Sequence, residues 1–417
     1  MSEQKVMNRW LVVVGAVLVQ MCLGAIYAWS VFTPELLEAG WSTAQTMMAF
    51  SAGLVSYAVV MVWAGFQLEK LGPRFLAIAG GIVLGAGYII AGLFGGTNFW
   101  MIFIFIGIMG GSGIGLGYVV PIAVGMKWFP DKKGLITGLA VAGFGFGATG
   151  WVKFAGSVGN LIENYGISTT FVIFGIAFAV LVSIGGFFMI NPPEGWLPEG
   201  FTPEESSNGQ NGKAAGPDLS GTDLLSTPQY YMLFITFIFS AGAGLMTIGL
   251  IKPYGISALG AASGISAVKA SAIAGTALAI LSIANGLGRI AWGTISDKTG
   301  GRLAIIIMVS FQAVMLFLLN FMAGTEILFY VAAAAIGFNF GGNFALFPTI
   351  TAETFGTLNV GKNYPMIFLA YGVGGVLFPI VGGKLGDLDK YALAFTISAA
   401  LCIVGACLTF MVKKPQS

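Results

Sequence analysis

The chain has 417 residues, of which 57% are hydrophobic and only 9% are charged, with a formal net charge of +2 and no histidine. Soluble domains carry about 25% charged residues, so this composition indicates an integral membrane protein. The small, dispersed charge excludes a nucleic-acid-binding surface, and the lack of histidine excludes imidazole metal sites and imidazole proton relays.

Apolar stretches long enough to cross a bilayer as helices occur twelve times along the chain. About 20 residues are needed for each crossing. In the first half they cover residues 10–32, 44–66, 75–95, 99–126, 134–158 and 168–190. In the second half they cover residues 229–251, 270–292, 303–322, 327–350, 364–385 and 391–412. The sequence therefore predicts an all-α membrane fold. The cysteines, Cys22, Cys402 and Cys407, lie in apolar runs and are interpreted as small hydrophobic residues rather than disulfides or metal ligands.

One polar segment, Asn191–Ser226, interrupts this pattern and separates six spans from six. It predicts a helical bundle over residues 1–190, a cytoplasmic linker over 191–226, and a second bundle over 227–417. With both termini placed in the cytoplasm, 13 of the 19 Lys and Arg residues fall in inner loops or at inner helix ends. That asymmetry follows the positive-inside rule and predicts this orientation.

The two halves share a loop motif after their second spans. Gly65–Arg74 reads GFQLEKLGPR and Gly293–Arg302 reads GTISDKTGGR, at an offset of 228 residues. Glycine, an acid, lysine, glycine and arginine recur at the same places. This motif resembles the loop signature of the major facilitator superfamily, whose proteins consist of two related six-helix halves. The resemblance implies that fold, with twelve transmembrane helices.

Arg289 is the residue that most sharply suggests a function. It lies in the apolar run Ala270–Trp292, which contains no Asp or Glu. A cation in the middle of a membrane helix costs about 3 kcal/mol on insertion scales, so such residues are usually functional. The matching position in the first half is Met61, so the shared scaffold does not need a cation there. Two interpretations stay open: an arginine that snorkels to the cytoplasm, or one that binds an anion with Asn285, one turn earlier.

Four segments look like motifs of the oxalate/formate antiporter family: Ala284–Trp292, Trp128–Gly134, Phe338–Gly342 and Leu358–Tyr364. That family includes bacterial lactate and pyruvate carriers and is related to the monocarboxylate transporters. The resemblance implies that Arg289 binds the substrate carboxylate. It further implies that Tyr118, Phe340 and Phe344 are pocket residues and that Tyr27 lies near the cavity.

Two departures from related carriers bear on the substrate. Oxalate carriers have a second cation, a lysine, in the eleventh helix, whereas the corresponding residue here is Tyr371. The animal monocarboxylate transporters have an aspartate four residues before the eighth-helix arginine, whereas here that residue is Asn285. A single intramembrane cation suits a monoanion better than a dianion.

We therefore expect a monomeric secondary transporter in the cytoplasmic (inner) membrane. It would carry small monocarboxylates such as lactate or pyruvate through a central cavity by alternating access, with Arg289, Asn285, Tyr118 and Tyr371 among the binding residues. We expect proton symport, and exchange of the oxalate/formate type is the alternative. The sequence suggests no cofactor or metal, and a membrane enzyme is disfavoured because no nucleophile, base or metal cluster is evident.

Overall fold

The computed structural model describes residues 7–155, 159–198 and 219–413. Within these ranges the chain is helical and forms no β-strand. Twelve of the described helices are long and apolar enough to cross a membrane. This confirms the predicted all-α membrane fold. Of the predicted linker, residues 199–218 lie outside the described ranges, and Gly221–Ser226 form a short 3-10 helix.

The spanning segments agree with the hydropathy pattern and are longer at several ends. In the first half they are Arg9–Trp29, Met48–Leu71, Pro73–Gly95, Phe99–Trp128, Lys133–Ala155 and Leu161–Phe187. In the second half they are Pro228–Ala262, Ala267–Thr299, Gly301–Met322, Glu326–Phe355, Val360–Gly386 and Tyr391–Met411. Several of the extra turns carry charged residues, such as Lys70, Lys252 and Asp297, and so fall outside the apolar window that hydropathy detects.

Several spans depart from regular α-helix. The first changes from α-helix (Arg9–Leu23) to 3-10 helix over Gly24–Val31. The third ends in a π-helical turn over Ala91–Gly95, and the fourth is π-helical over Ile102–Gly110. Such segments are uncommon within long helices and often occur at functional positions.

The chain divides into two compact units. The first unit comprises Met1–Ala215 together with Thr357–Met366, and the second comprises Gly216–Gly356 together with Ile367–Ser417. The short segment of the first unit is tied to its second span, because Lys362 Nζ lies 2.7 Å from Glu69 Oε2. The predicted bundle boundaries at residues 190 and 227 stay a prediction.

The repeated loop motif forms similar local structures in the two units. Gly72 and Gly300 have φ angles of 77° and 81°, a left-handed region that favours glycine, which explains why glycine recurs there. The guanidinium carbon of Arg74 lies 4.3 Å from the centre of the Phe187 ring at the end of the sixth span. Similarly, Arg302 lies over the ring of Phe410 at the end of the twelfth span.

Glu353, near the inner end of the tenth span, has a structural partner. Its carboxylate oxygens accept hydrogen bonds from the backbone N–H of Gly301, at 3.1 and 3.0 Å. Gly301 is the first residue of the ninth helix, and an acid at this end of a helix is stabilised by the helix dipole. Glu353 therefore fixes the start of the ninth helix against the end of the tenth.

Candidate functional site

Arg289 lies in the C-terminal half of the eighth helix, Ala267–Thr299, and is fully buried, with 0% of its surface exposed. Its Nε donates a hydrogen bond to Oδ1 of Asn285 at 2.9 Å. The two residues are four apart, so the helix itself places them on one face. The bond holds Nε and orients the plane of the guanidinium.

Glycine contacts bring the eighth and tenth helices close together beside this arginine. A methyl group added at Gly288 would overlap the carbonyl oxygen of Phe338, and one at Gly341 would overlap that of Asn285. Gly337 makes the same kind of contact with the carbonyl oxygen of Leu281. Small residues allow such close approach between membrane helices. The contact fixes the tenth helix at the height of Arg289.

A set of aromatic rings lies beside the guanidinium. The ring of Phe344 lies under it, with 4.2 Å between the guanidinium carbon and the ring centre. Phe344 packs edge-on against Phe340 at 5.3 Å and against Tyr371 at 5.4 Å between ring centres. The structure therefore brings five predicted residues together in the second unit. We call this set, Arg289, Asn285, Phe340, Phe344 and Tyr371, the arginine cluster.

Phe368 is a neighbour of this cluster that the sequence analysis missed. Its ring lies 5.0 Å from that of Tyr371 and 6.4 Å from that of Phe344. Phe368 precedes Tyr371 by three residues, a spacing that puts both on one helix face. That spacing is the one signal that could have identified it.

The other two predicted residues, Tyr118 and Tyr27, lie in the first unit and meet around a common ring. Phe144 lies 5.1 Å from Tyr27 and 5.4 Å from Tyr118, measured between ring centres. Tyr57 lies 5.1 Å from Tyr118. Phe144 and Tyr57 were not predicted. We call these four residues the tyrosine cluster.

Close backbone packing also positions the tyrosine cluster. A methyl group added at Gly24 would overlap the backbone of Phe144, and one added at Gly147 would overlap the backbone of Met21. The first and fifth spans therefore cross at glycines. Phe144 lies among the glycines of the run Gly143–Gly147, a setting that could have drawn attention to it.

The described residues include no group of three or more His, Cys, Asp or Glu side chains that could hold a metal ion. The arginine cluster presents one cation, one amide and three aromatic rings. A guanidinium edge beside apolar rings can bind a small carboxylate whose other end is apolar. Acid–base or nucleophilic chemistry would require groups of a different kind.

Twelve spanning helices with a buried cation set among aromatic rings are typical of multi-pass membrane transporters, and comparison with known proteins identifies the family. The family model of the Major Facilitator Superfamily matches residues 10–364 and 269–417. The chain belongs to this superfamily.

Curated relatives agree with the family. The chain is 32% identical over 371 residues to the uncharacterized MFS-type transporter YhjX of Escherichia coli (strain K12). The alignment covers 88% of this chain and 86% of that relative. It is 27% identical over 413 residues to the oxalate:formate antiporter of Oxalobacter formigenes, covering 98% and 92%. It is 24% identical over 366 residues to monocarboxylate transporter 13 of Rattus norvegicus, covering 83% and 77%. The resemblance deduced from the sequence motifs is confirmed.

A solved structure shows the same fold at low identity. The transporter FucP in its outward conformation aligns with a TM-score of 0.70 at 15% identity, covering 97% of this chain and 99% of FucP. At this identity the likeness shows the fold alone. Together with the family match, it makes the chain a multi-pass transporter of the superfamily.

Proposed function

We propose that this transporter carries small monocarboxylates of the lactate and pyruvate class, by alternating access, with Arg289 as the group that binds the carboxylate. The observation that supports this most is the geometry at Arg289. A buried guanidinium has its Nε held by Asn285 and one face covered by Phe344. A carboxylate then pairs with the terminal nitrogens, and the Phe340 and Phe344 rings enclose its apolar end.

The charge of the cluster favours a monoanion. Burying an ion pair is easier than burying either charge alone, so a bound monocarboxylate neutralises Arg289 for passage through a closed state. The spans carry no Asp or Glu away from their ends. We propose symport, in which a proton crosses in the same direction as the carboxylate that is paired with Arg289. Placement in the cytoplasmic membrane, cytoplasmic termini and a monomeric state are part of the same proposal.

Exchange of the oxalate/formate type is the second candidate. It is favoured by the oxalate:formate antiporter relative, which aligns over 98% of this chain. It is disfavoured by Tyr371, which stands where oxalate carriers have a lysine. If a dianion such as oxalate bound at Arg289 alone, its second carboxylate would have no cation to pair with.

Proteoliposomes containing the purified protein test both candidates. Uptake of labelled lactate, pyruvate, formate and oxalate is measured with and without a pH gradient, and with and without substrate inside. Symport of monocarboxylates predicts lactate or pyruvate uptake that is driven by an inward proton gradient into empty vesicles. Uptake that requires internal substrate and ignores the gradient supports exchange. Transport of none of these carboxylates refutes the proposal.

A further inference from the structure

Gln20 lies in the first span, where it is the only side chain with an amide or a charge between Trp10 and Tyr27. Its exposed fraction is 0%. Its Nε2 donates a hydrogen bond to the backbone carbonyl oxygen of Tyr118 at 3.1 Å, across 98 residues of sequence. A buried amide of the first span is therefore tied to the fourth span at a predicted substrate residue.

Both ends of this hydrogen bond lie next to irregular helix. Four residues after Gln20, the first span changes to the 3-10 segment Gly24–Val31, which carries Tyr27. Three residues after Tyr118 comes Pro121, which lies inside the fourth span and has no N–H to donate. The bond thus joins the two segments that place the tyrosines of the tyrosine cluster.

Gln20 also packs beside Gly143, the residue directly before the ring that the two tyrosines share. A methyl group added at Gly143 would lie 3.3 Å from Cβ of Gln20, and Gly143 directly precedes Phe144. Gln20 therefore lies against the fifth span as well as the fourth, and these spans carry Phe144 and Tyr118.

The stability of the folded protein does not explain why an amide side chain is buried at Gln20. Oε1 of Gln20 is buried and has no hydrogen-bond partner within the described residues. An orphaned buried acceptor costs more than one hydrogen bond between neutral groups contributes. A methionine of similar length would therefore fold at least as well.

We propose that Gln20 is a positioning residue for transport. It holds the Tyr118 turn of the fourth span and the Tyr27 segment of the first span in register around Phe144. The expected effect of Gln20 on transport rests on the proposed function. The expected effect of its hydrogen bond on the Tyr118 backbone does not depend on what the protein carries.

Gln20→Met removes the hydrogen bond and keeps the side-chain length. Gln312→Met is the matched control, because Gln312 is 1% exposed and its amide makes no hydrogen bond within the described chain. In proteoliposomes, Gln20→Met is expected to raise the KM for labelled lactate by roughly tenfold with kcat nearly unchanged, as loss of one hydrogen bond implies. Gln312→Met should stay within about twofold of the parent. Equal changes in the two variants overturn the inference.

A double-mutant cycle tests whether Gln20 acts through Tyr118. If it does, Gln20→Met combined with Tyr118→Phe should raise KM by less than the product of the two single effects. Multiplicative effects would mean that Gln20 acts independently of Tyr118 and would contradict a positioning role.

Backbone amide exchange supplies a readout that needs no substrate. In detergent-solubilised protein, the amides of residues 117–120 and 122 should exchange several-fold faster in Gln20→Met than in the parent, with no change in Gln312→Met. Unchanged exchange overturns the positioning role whatever the transporter carries. If exchange accelerates while the parent transports none of the tested carboxylates, the proposed function fails and the positioning role stands.

Discussion

The guanidinium carbon of Arg289 lies 4.2 Å from the centre of the Phe344 ring, and both side chains are buried. A desolvated cation–π contact of this kind contributes about 2 kcal/mol or more. The ring supports one face of the guanidinium while Asn285 holds its Nε. The plane of the guanidinium is thereby fixed, and in the proposed carboxylate-binding role of Arg289 this lowers the entropy lost on binding.

Phe344→Leu should therefore weaken substrate binding roughly three- to thirtyfold, the range that a cation–π contact spans between exposed and desolvated settings. The measurement is the KM for labelled lactate in proteoliposomes. Phe347→Leu is the control, since Phe347 is equally buried in the same helix but stacks on Phe237 at 4.1 Å between ring centres. If the KM rises as much in the control, the weaker binding results from lost packing and not from the lost contact between the ring and Arg289.

Arg289→Lys should reduce uptake by about a hundredfold or more while the protein remains folded and inserted. Lysine keeps the positive charge but lacks the planar fork that pairs with a carboxylate and the Nε that bonds to Asn285. Arg9→Lys is a suitable control because Arg9 also lies over a ring, 4.4 Å from the centre of Phe129, outside the arginine cluster. Near-normal uptake by Arg289→Lys at low substrate concentration would favour a snorkelling arginine instead.

Gly288→Ala should lower the thermal unfolding midpoint by about 4 °C or more, because the added methyl group overlaps the Phe338 carbonyl oxygen. Gly275→Ala in the same helix is the control, since no atom lies within 4 Å of the added methyl group. Alanine forms helix better than glycine by about 1 kcal/mol, so the control should be as stable as the parent or more stable. A Gly288→Ala variant as stable as Gly275→Ala would show that the two helices can separate at little cost.

Sequence patterns were sufficient for the spans and for local pairs. Hydropathy locates a membrane helix because the bilayer imposes a length and a composition that no other segment satisfies. The Arg289–Asn285 pair follows from helix periodicity, since residues four apart share a face. The loop motif identified the family, and its recurring glycines, Gly72 and Gly300, occupy positive φ angles.

Contacts between distant segments were not predictable in the same way. Phe144 and Phe368 are two of 34 phenylalanines, and composition does not tell which ring faces which helix. Gln20 meets Tyr118 only because the first and fourth spans pack together, a fact that no local pattern encodes. The 3-10 segment Gly24–Val31 was also missed, since Gly24 is its only sequence signal.

Selectivity between monoanions and dianions should depend on Tyr371. Its ring lies 5.4 Å from that of Phe344, so a cation introduced here would lie near Arg289. In the parent protein, a dianion leaves one carboxylate poorly compensated, at a cost of several kcal/mol, which is roughly a hundredfold or more in affinity. Oxalate should therefore compete poorly with labelled lactate. Tyr371→Lys should narrow the difference between oxalate and lactate by at least about tenfold.

Tyr371→Met separates the added charge from the lost ring. It removes the aromatic contacts with Phe344 and Phe368 without adding a cation, so it should not improve competition by oxalate. The measurement is the concentration of oxalate, lactate or pyruvate that halves uptake of a labelled monocarboxylate, on the parent and both variants. If oxalate competes as well as lactate on the parent, a single cation is not what sets selectivity. A second cation must then reach the substrate, and Lys153, at the end of the fifth span, is the first residue to test by Lys153→Met.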